Sequence, residues 1–69
     1  MRFVIDFYRR KPGDPDRIEV VRRVVTEFDS LEAAIEYGLH SQGADGFRIY
    51  ERDDLKLDMQ IPPNARGSA

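Results

Sequence analysis

Only one segment of this chain has the periodicity of an α-helix. Residues 31–42 place an apolar or small side chain at successive i, i+3 and i+4 positions, which gives one continuous stripe along a predicted helix. Asp29 or Ser30 can cap its start, and Gly43 is suited to its end. A single helix can cover only one face of a sheet. The stripe consists of Leu31, Ala34, Ile35, Gly38, Leu39 and Gln42.

Two segments before the helix predict β-strands. Residues 2–10 alternate in polarity, with Phe3, Ile5 and Phe7 on one face, which indicates a half-buried strand. In residues 11–16, Pro12 and Gly13, followed by a second proline at position 15, supply turn geometry and oppose ladder pairing. We therefore expect residues 11–16 to close a hairpin onto a second strand at 17–27.

Two more strands are predicted after the helix, in residues 47–61, and the phase of their side chains selects the turn between them. A two-residue turn at 53–54 would put the apolar residues of the two strands on opposite faces. A three-residue turn at 52–54 pairs Ile49 with Leu57 and Phe47 with Met59, all on one face, with Asp54 in the left-handed conformation. We prefer the three-residue turn.

The predicted fold class is α+β, with the element order β-β-α-β-β. A right-handed crossover from the second strand to the third gives a four-stranded antiparallel sheet of order 2-1-3-4 with the helix packed on one face. Residues 1–61 form the expected single domain. The prolines at 62 and 63 end the sheet, and residues 62–69 are expected to form a flexible tail.

The second strand, in the stretch EVVRRVVTEF at 19–28, carries valines that fall on both faces. In the simplest hairpin register Phe7 lies opposite Val20 and Phe3 opposite Val24, which leaves Val21 and Val25 on the face without the helix. A bulge at residues 22–23 changes which valines are buried, but any register with at most one bulge still exposes at least one of them.

The face without the helix is therefore the predicted interaction surface. Apolar and aromatic side chains gathered on an open sheet typically mark an interaction site. We expect a second copy or another protein to cover this face by sheet stacking, or to pair with an edge strand. The alternative is that long arginine side chains cover the valines of a monomer. The predicted interface residues are Val4, Tyr8, Val21, Arg23, Val25, Arg48 and Tyr50, with Asp6, Lys56 and Asp58 around them.

Composition leaves self-association or a well-packed core as the source of stability. The chain has 69 residues, no cysteine and one histidine, so neither disulfides nor the usual zinc sites are available to stabilise so small a domain. The net charge is −2, but residues 1–26 hold seven basic and four acidic groups, whereas residues 27–69 hold four basic and nine acidic groups. Such polarity can orient the association of one copy with another, or it can present a basic end of the molecule to an anion.

Binding of single-stranded nucleic acid is the alternative function. Tyr8 and Tyr50 beside Arg23, Arg48 and Lys56 could stack bases and contact phosphates. The acidic helix, the negative net charge and the absence of a basic-aromatic signature oppose this interpretation.

No pattern predicts catalysis, so we expect a non-enzymatic protein with no catalytic residue, cofactor, metal or small-molecule substrate. His40 is expected to face solvent, Ser30 is explained as a cap, and aspartates 14, 16, 53 and 54 lie where turns favour aspartate. Asp6 interrupts the apolar N-terminus too early for a signal peptide, and no apolar segment is long enough to span a membrane. The expected compartment is the cytoplasm.

Overall fold

The computed structural model describes residues 1–41 and 43–62 and has the predicted β-β-α-β-β order. Its four strands form one antiparallel sheet in the order β2-β1-β3-β4, so the predicted fold class and strand order are confirmed. The predicted tail from residue 63 onward lies outside the described residues. The elements are β1 (Arg2–Lys11), β2 (Asp14–Glu27), α1 (Leu31–Leu39), β3 (Gly46–Glu51) and β4 (Asp54–Gln60).

The first hairpin turns earlier and more tightly than the sequence predicted. Lys11 pairs with Asp14 across a two-residue turn of Pro12 and Gly13, and Gly13 has a φ of +82°. Proline followed by a residue with positive φ is the typical centre of a type II turn. The second strand therefore begins at Asp14 rather than at residue 17, and a proline is tolerated there because β2 is an edge strand.

Helix α1 begins after Ser30, one of the two predicted N-cap residues, and ends before Gly43, the predicted C-terminal stop. Ser30 is the N-cap, and its Oγ accepts a hydrogen bond of 3.2 Å from the backbone N–H of Ala33. The helix ends at Leu39 with His40 as C-cap, whereas Gly43, with a φ of +82°, lies farther along the chain. Gln42, which the sequence placed in the stripe, lies outside the described residues.

The core lies between α1 and one face of the sheet. Three phenylalanines and two isoleucines from the central strands are fully buried, and Ala44 and Ile61 are buried in the same cluster. Leu31, Ile35 and Leu39 of the helix stripe pack against them. The fully buried strand side chains are Phe3, Ile5, Phe7, Phe47 and Ile49.

Gly38 allows the helix to approach the sheet closely, as its place in the stripe predicted. A Cβ atom at this position would lie 2.7 Å from the ring of Phe47, which is shorter than a normal carbon–carbon contact. The absence of a side chain at Gly38 thus sets the distance between helix and sheet.

The second hairpin has the predicted pairing but a different turn. Ile49 lies opposite Leu57 and Phe47 opposite Met59, as predicted. Glu51, however, pairs with Asp54, so the turn contains two residues, Arg52 and Asp53, and the left-handed residue is Arg52, with a φ of +58°. Asp54 therefore does not have the conformation that the sequence analysis assigned to it. The extra residue is instead taken up by a bulge in β4.

Replacing Gly38 with alanine should destabilise the fold. The overlap with Phe47 is expected to cost about 1–3 kcal/mol, as overpacking does in other cores, which exceeds the gain in helix propensity of up to about 1 kcal/mol. Urea unfolding followed by circular dichroism measures the difference, with the exposed Glu32→Ala variant as control. A Gly38→Ala protein more stable than the wild type would contradict the close approach.

Candidate functional site on the open face of the sheet

The register of β1 and β2 explains where the doubled valines go, and it differs from the simplest register. Ile5 lies opposite Val24 and Phe7 opposite Arg22, whereas Tyr8 lies opposite Val20. The shift between Phe7 and Tyr8 leaves Val21 as an extra residue in a bulge. The predicted pairs of Phe7 with Val20 and of Phe3 with Val24 are therefore wrong.

The bulge divides the side chains of β2 between the two faces. Val24 packs against the core on the helix side, and Val20 lies on the open face beside Tyr8, although the simplest register had placed it under the helix. Arg22 takes the place on the helix side that a valine could have filled. Its guanidinium lies 4.6 Å from the centre of the Phe7 ring, and its Nη2 donates a 2.8 Å hydrogen bond to Ser41 Oγ.

One apolar side chain from each strand forms a row across the open face. Val25 lies opposite Val4, Val4 lies opposite Tyr50, and Tyr50 lies opposite Leu55. Directly opposed residues in a sheet point to the same face, so the four side chains are neighbours. We call these residues the apolar row: Val25, Val4, Tyr50 and Leu55.

The next row across the same face consists of charges of alternating sign. Asp6 lies opposite both Arg23 and Arg48, and Arg48 lies opposite Asp58. Arg23 binds Asp6 with two hydrogen bonds of 2.7 and 3.0 Å, and Arg48 Nε lies 3.0 Å from Asp58 Oδ2. We call these residues the charged row: Arg23, Asp6, Arg48 and Asp58.

The paired carboxylates further stabilise the charged form of the two arginines. The hydrogen bond that Arg23 donates to Asp6 raises the pKa of Arg23, and the hydrogen bond that Arg48 donates to Asp58 raises the pKa of Arg48. Asp6 is itself buried although it lies on the open face. Since each positive group has a negative neighbour, the charged row has no net charge.

Tyr8 lies flat against the sheet beside the charged row. Its ring passes over Gly46, where a Cβ atom would overlap the phenol, and the Arg48 guanidinium lies 5.5 Å from the ring centre. Its hydroxyl donates a 2.9 Å hydrogen bond to Asp58 Oδ1. Tyr8 is only 3% exposed, so its ring is not available for stacking with a base.

The two ends of the apolar row are among the accessible parts of the open face, together with Val20 beside Tyr8. Val25 is 56% exposed and Leu55 52% exposed, whereas Val4 and Tyr50 are half-buried. A hollow of about 340 Å³ lies beside the two inner members of the row and is lined by Val4, Asp6, Arg23, Tyr50, Arg52 and Asp53. The open face therefore combines exposed apolar groups with a recess that lies between the inner members of the apolar row and the charged row.

Both edge strands of the sheet are bulged within their length. Val21 is the extra residue in β2, and Lys56 is the extra residue in β4, where Ile49 pairs with Leu57 but Tyr50 pairs with Leu55. A bulge interrupts the regular row of backbone donors and acceptors that a further strand would need. Both edges are therefore poor templates for pairing with another chain.

The structure brings five of the seven predicted interface residues together in the two rows of the open face. The other two, Val21 and Tyr8, lie outside these rows. Val4, Val25 and Tyr50 form the apolar row with Leu55, a residue that the sequence analysis did not include. Leu55 joins them because the bulge at Lys56 turns it toward the open face. Val21 lies in the β2 bulge without a direct partner in β1, and Tyr8 is buried. Arg23 and Arg48 are in the charged row.

The uneven charge along the chain is distributed between the layers of the fold. The β1–β2 hairpin, residues 2–27, holds seven basic and five acidic groups, and the β3–β4 hairpin, residues 46–60, holds three basic and four acidic groups. The rest of the acidic excess lies in and around α1, at Asp29, Glu32, Glu36 and Asp45. The two halves of the sheet therefore differ modestly in charge.

A second hollow, of about 420 Å³, lies on the helix side and is lined by Arg22, Glu36, Tyr37, His40 and Ser41. His40 is exposed, as the sequence predicted. In the part of the chain that the structure describes, no three His, Asp or Glu side chains gather where they could hold a metal ion. No helix within residues 1–41 and 43–62 is long and apolar enough to cross a bilayer.

No model of a known protein family, no curated protein and no solved structure matches this chain.

The hydrogen bond of Tyr8 predicts a change of stability at alkaline pH. Burial raises the pKa of the Tyr8 phenol, and the hydrogen bond to Asp58 and its negative charge raise the pKa further, against the opposing effects of Arg10 and Arg48. A phenol with a raised pKa stabilises the fold fully below its unfolded pKa of about 10 and loses this contribution as pH rises through the folded pKa.

We therefore expect Tyr8→Phe to lower the free energy of unfolding by about 1 kcal/mol at pH 8, the typical net value of one hydrogen bond. The difference between the two proteins should shrink as the pH is raised above about 10, since ionisation then removes the same hydrogen bond from the wild type. Urea unfolding at several pH values measures it. Equal stability of the two proteins at pH 8 would contradict the proposed contribution of this bond.

Proposed function

We propose that this protein is a non-enzymatic protein–protein interaction module that self-associates through the open face of its sheet. The observation that supports this proposal is the apolar row, in which every strand contributes one apolar side chain to a continuous line on the face that α1 does not cover. We propose the cytoplasm as its compartment, because a chain without cysteine is compatible with a reducing environment.

The exposure of the row is the first argument for a partner. Val25 and Leu55 are each more than half exposed at the two ends of the row, with Val4 and Tyr50 between them. Water contact with these side chains costs free energy that burial would recover, at about 25 cal/mol per Å² of apolar surface. The arginines of the open face leave Val25 and Leu55 more than half exposed, and the head groups of Arg23 and Arg48 bind Asp6 and Asp58.

The size of the face suits a weak dimer. Four strands at the usual spacing are about 20 Å across, and the five positions at which β1 pairs with β3 extend about 15 Å along the strands. Such a face offers roughly 300 Å² to a partner, which is below the roughly 800 Å² per partner of a standard interface and therefore suits only a weak, transient association. Association is therefore expected to be reversible and to depend on concentration.

Stacking of the open faces is favoured over pairing of edge strands. The bulges at Val21 and Lys56 interrupt both edges of the sheet, whereas the in-register rows of the open face are unbroken across all four strands. A partner that lies on the face contacts all four strands, and a partner at an edge contacts one.

Binding of single-stranded nucleic acid receives less support than the protein interface. Tyr8, one of the two tyrosines that would stack bases, is buried under Arg48. A phosphate group would also have to compete with Asp6 and Asp58 for Arg23 and Arg48. Both features reduce the affinity that such a face could have for a nucleic acid backbone.

Replacing Val25 with aspartate tests the proposed function. The new charge would lie at the exposed end of the apolar row, and burying it against a second copy should raise the dissociation constant of the dimer by roughly tenfold or more. Sedimentation equilibrium measures this constant, and far-ultraviolet circular dichroism reports whether α1 and the sheet remain intact.

Thr26→Asp is the matched control. Thr26 is the next residue on the same strand, is also exposed, and lies opposite Phe3 on the helix side. The same charge there should leave the dissociation constant unchanged. A wild-type protein that stays monomeric at roughly 100 µM, a concentration at which even a dimer of micromolar affinity would be populated, would overturn the proposal, and so would equal effects of the two substitutions.

A further inference from the structure

We infer that two copies stack open face to open face about a two-fold axis. The axis lies in the plane between the two sheets, runs parallel to the strands and passes over the gap between β1 and β3. In this arrangement β2 of each copy lies over β4 of the other. The inference rests on the proposed function and adds to it the orientation of the partner.

The charged row carries the argument. Across the sheet, in the order β2, β1, β3 and β4, its signs are positive, negative, positive and negative. A two-fold axis along the strands reverses this lateral order and keeps each row at the same height. Arg23 then lies over Asp58 of the second copy, and Asp6 lies over Arg48 of the second copy. All four facing pairs have opposite signs.

The apolar row is matched by the same operation. Val25 lies over Leu55 of the second copy, and Val4 lies over Tyr50 of the second copy. The most exposed members of the row, at its two ends, therefore cover each other. Sheets that stack face to face with nearly aligned strands leave a layer about 10 Å thick for the interdigitating side chains.

Other two-fold arrangements of the same face lose this match. An axis perpendicular to the strands sets each strand over its own copy, so that Arg23 lies over Arg23 and Asp6 over Asp6, or it places the charged row over the apolar row. An axis along β1 brings Asp6 over Asp6 and Arg23 over Arg48. Like charges or unpaired charges at a buried contact are strongly unfavourable.

The net charges of the two hairpins favour the same orientation. The β1–β2 hairpin has two more basic than acidic groups, and the β3–β4 hairpin has one more acidic than basic group. The proposed axis places each hairpin of one copy over the other hairpin of the second copy. Charge complementarity of this kind selects the orientation, while the apolar row provides most of the affinity.

Cross-linking through introduced cysteines tests the orientation, because the natural chain contains no cysteine. Val25→Cys and Leu55→Cys each replace an exposed side chain at one end of the apolar row. An equal mixture of the two variants, treated with a short bifunctional maleimide, should give cross-linked dimers that join position 25 of one copy to position 55 of the other. Each variant alone should give little cross-linked product. Thr26→Cys mixed with Leu55→Cys is the matched control and should not cross-link.

The outcomes separate this inference from the proposed function. Sedimentation of the same variants reports whether dimers form, and peptide mass spectrometry identifies the positions that are joined. Dimers in which Val25→Cys cross-links mainly to itself, or dimers with no product in the mixture, would overturn the orientation and leave the proposed function standing. Monomers at every concentration would overturn both.

Discussion

The contact between Gly38 and the ring of Phe47 determines how the rest of the molecule is arranged. Because position 38 has no side chain, the helix lies close on the sheet, and the helix stripe seals the phenylalanines and isoleucines of β1 and β3 on that side. The same contact commits α1 to one face. The other face is left with whatever side chains the strand alternation places there, and in this sequence they form an apolar row and a charged row.

The overall fold could be predicted from the sequence because its signals are local. Alternation in residues 2–10, proline and glycine at the first turn, and one apolar stripe in the helix specify the elements and their order. The pairing of Ile49 with Leu57 was also predictable, since a register slipped by one residue would put the apolar residues of the two strands on opposite faces.

The register of β2 could not be predicted, because its valines leave the two faces nearly equivalent. A strand that is apolar on both sides specifies its register weakly, and the choice then depends on contacts that are distant in sequence. Here Arg22 lies over Phe7 and donates to Ser41, while Arg23 binds Asp6 on the opposite face. The bulge at Val21 sets the register in which Arg22 lies opposite Phe7 and Arg23 lies opposite Asp6.

The positions of Leu55 and Tyr8 in the candidate site could not be predicted either, because they too depend on contacts between residues that are distant in sequence. Leu55 reaches the open face through a bulge at Lys56, and the turn that accompanies it places Arg52, rather than an aspartate or glycine, in the left-handed conformation. Tyr8 is hidden because Gly46 leaves room for its ring and Asp58 accepts its hydroxyl. Residue types along one strand do not reveal such contacts between strands, although the alternation did identify most members of the face.

We propose that a second copy covers the side of the sheet that the helix leaves open. Amide chemical shifts of the ¹⁵N-labelled protein, recorded over a dilution series, test it residue by residue. Concentration-dependent shifts are expected at Val4, Val25, Tyr50 and Leu55, with none at the outer residues of α1. Shifts confined to the helix, or shifts that do not change with concentration at any residue, would contradict it.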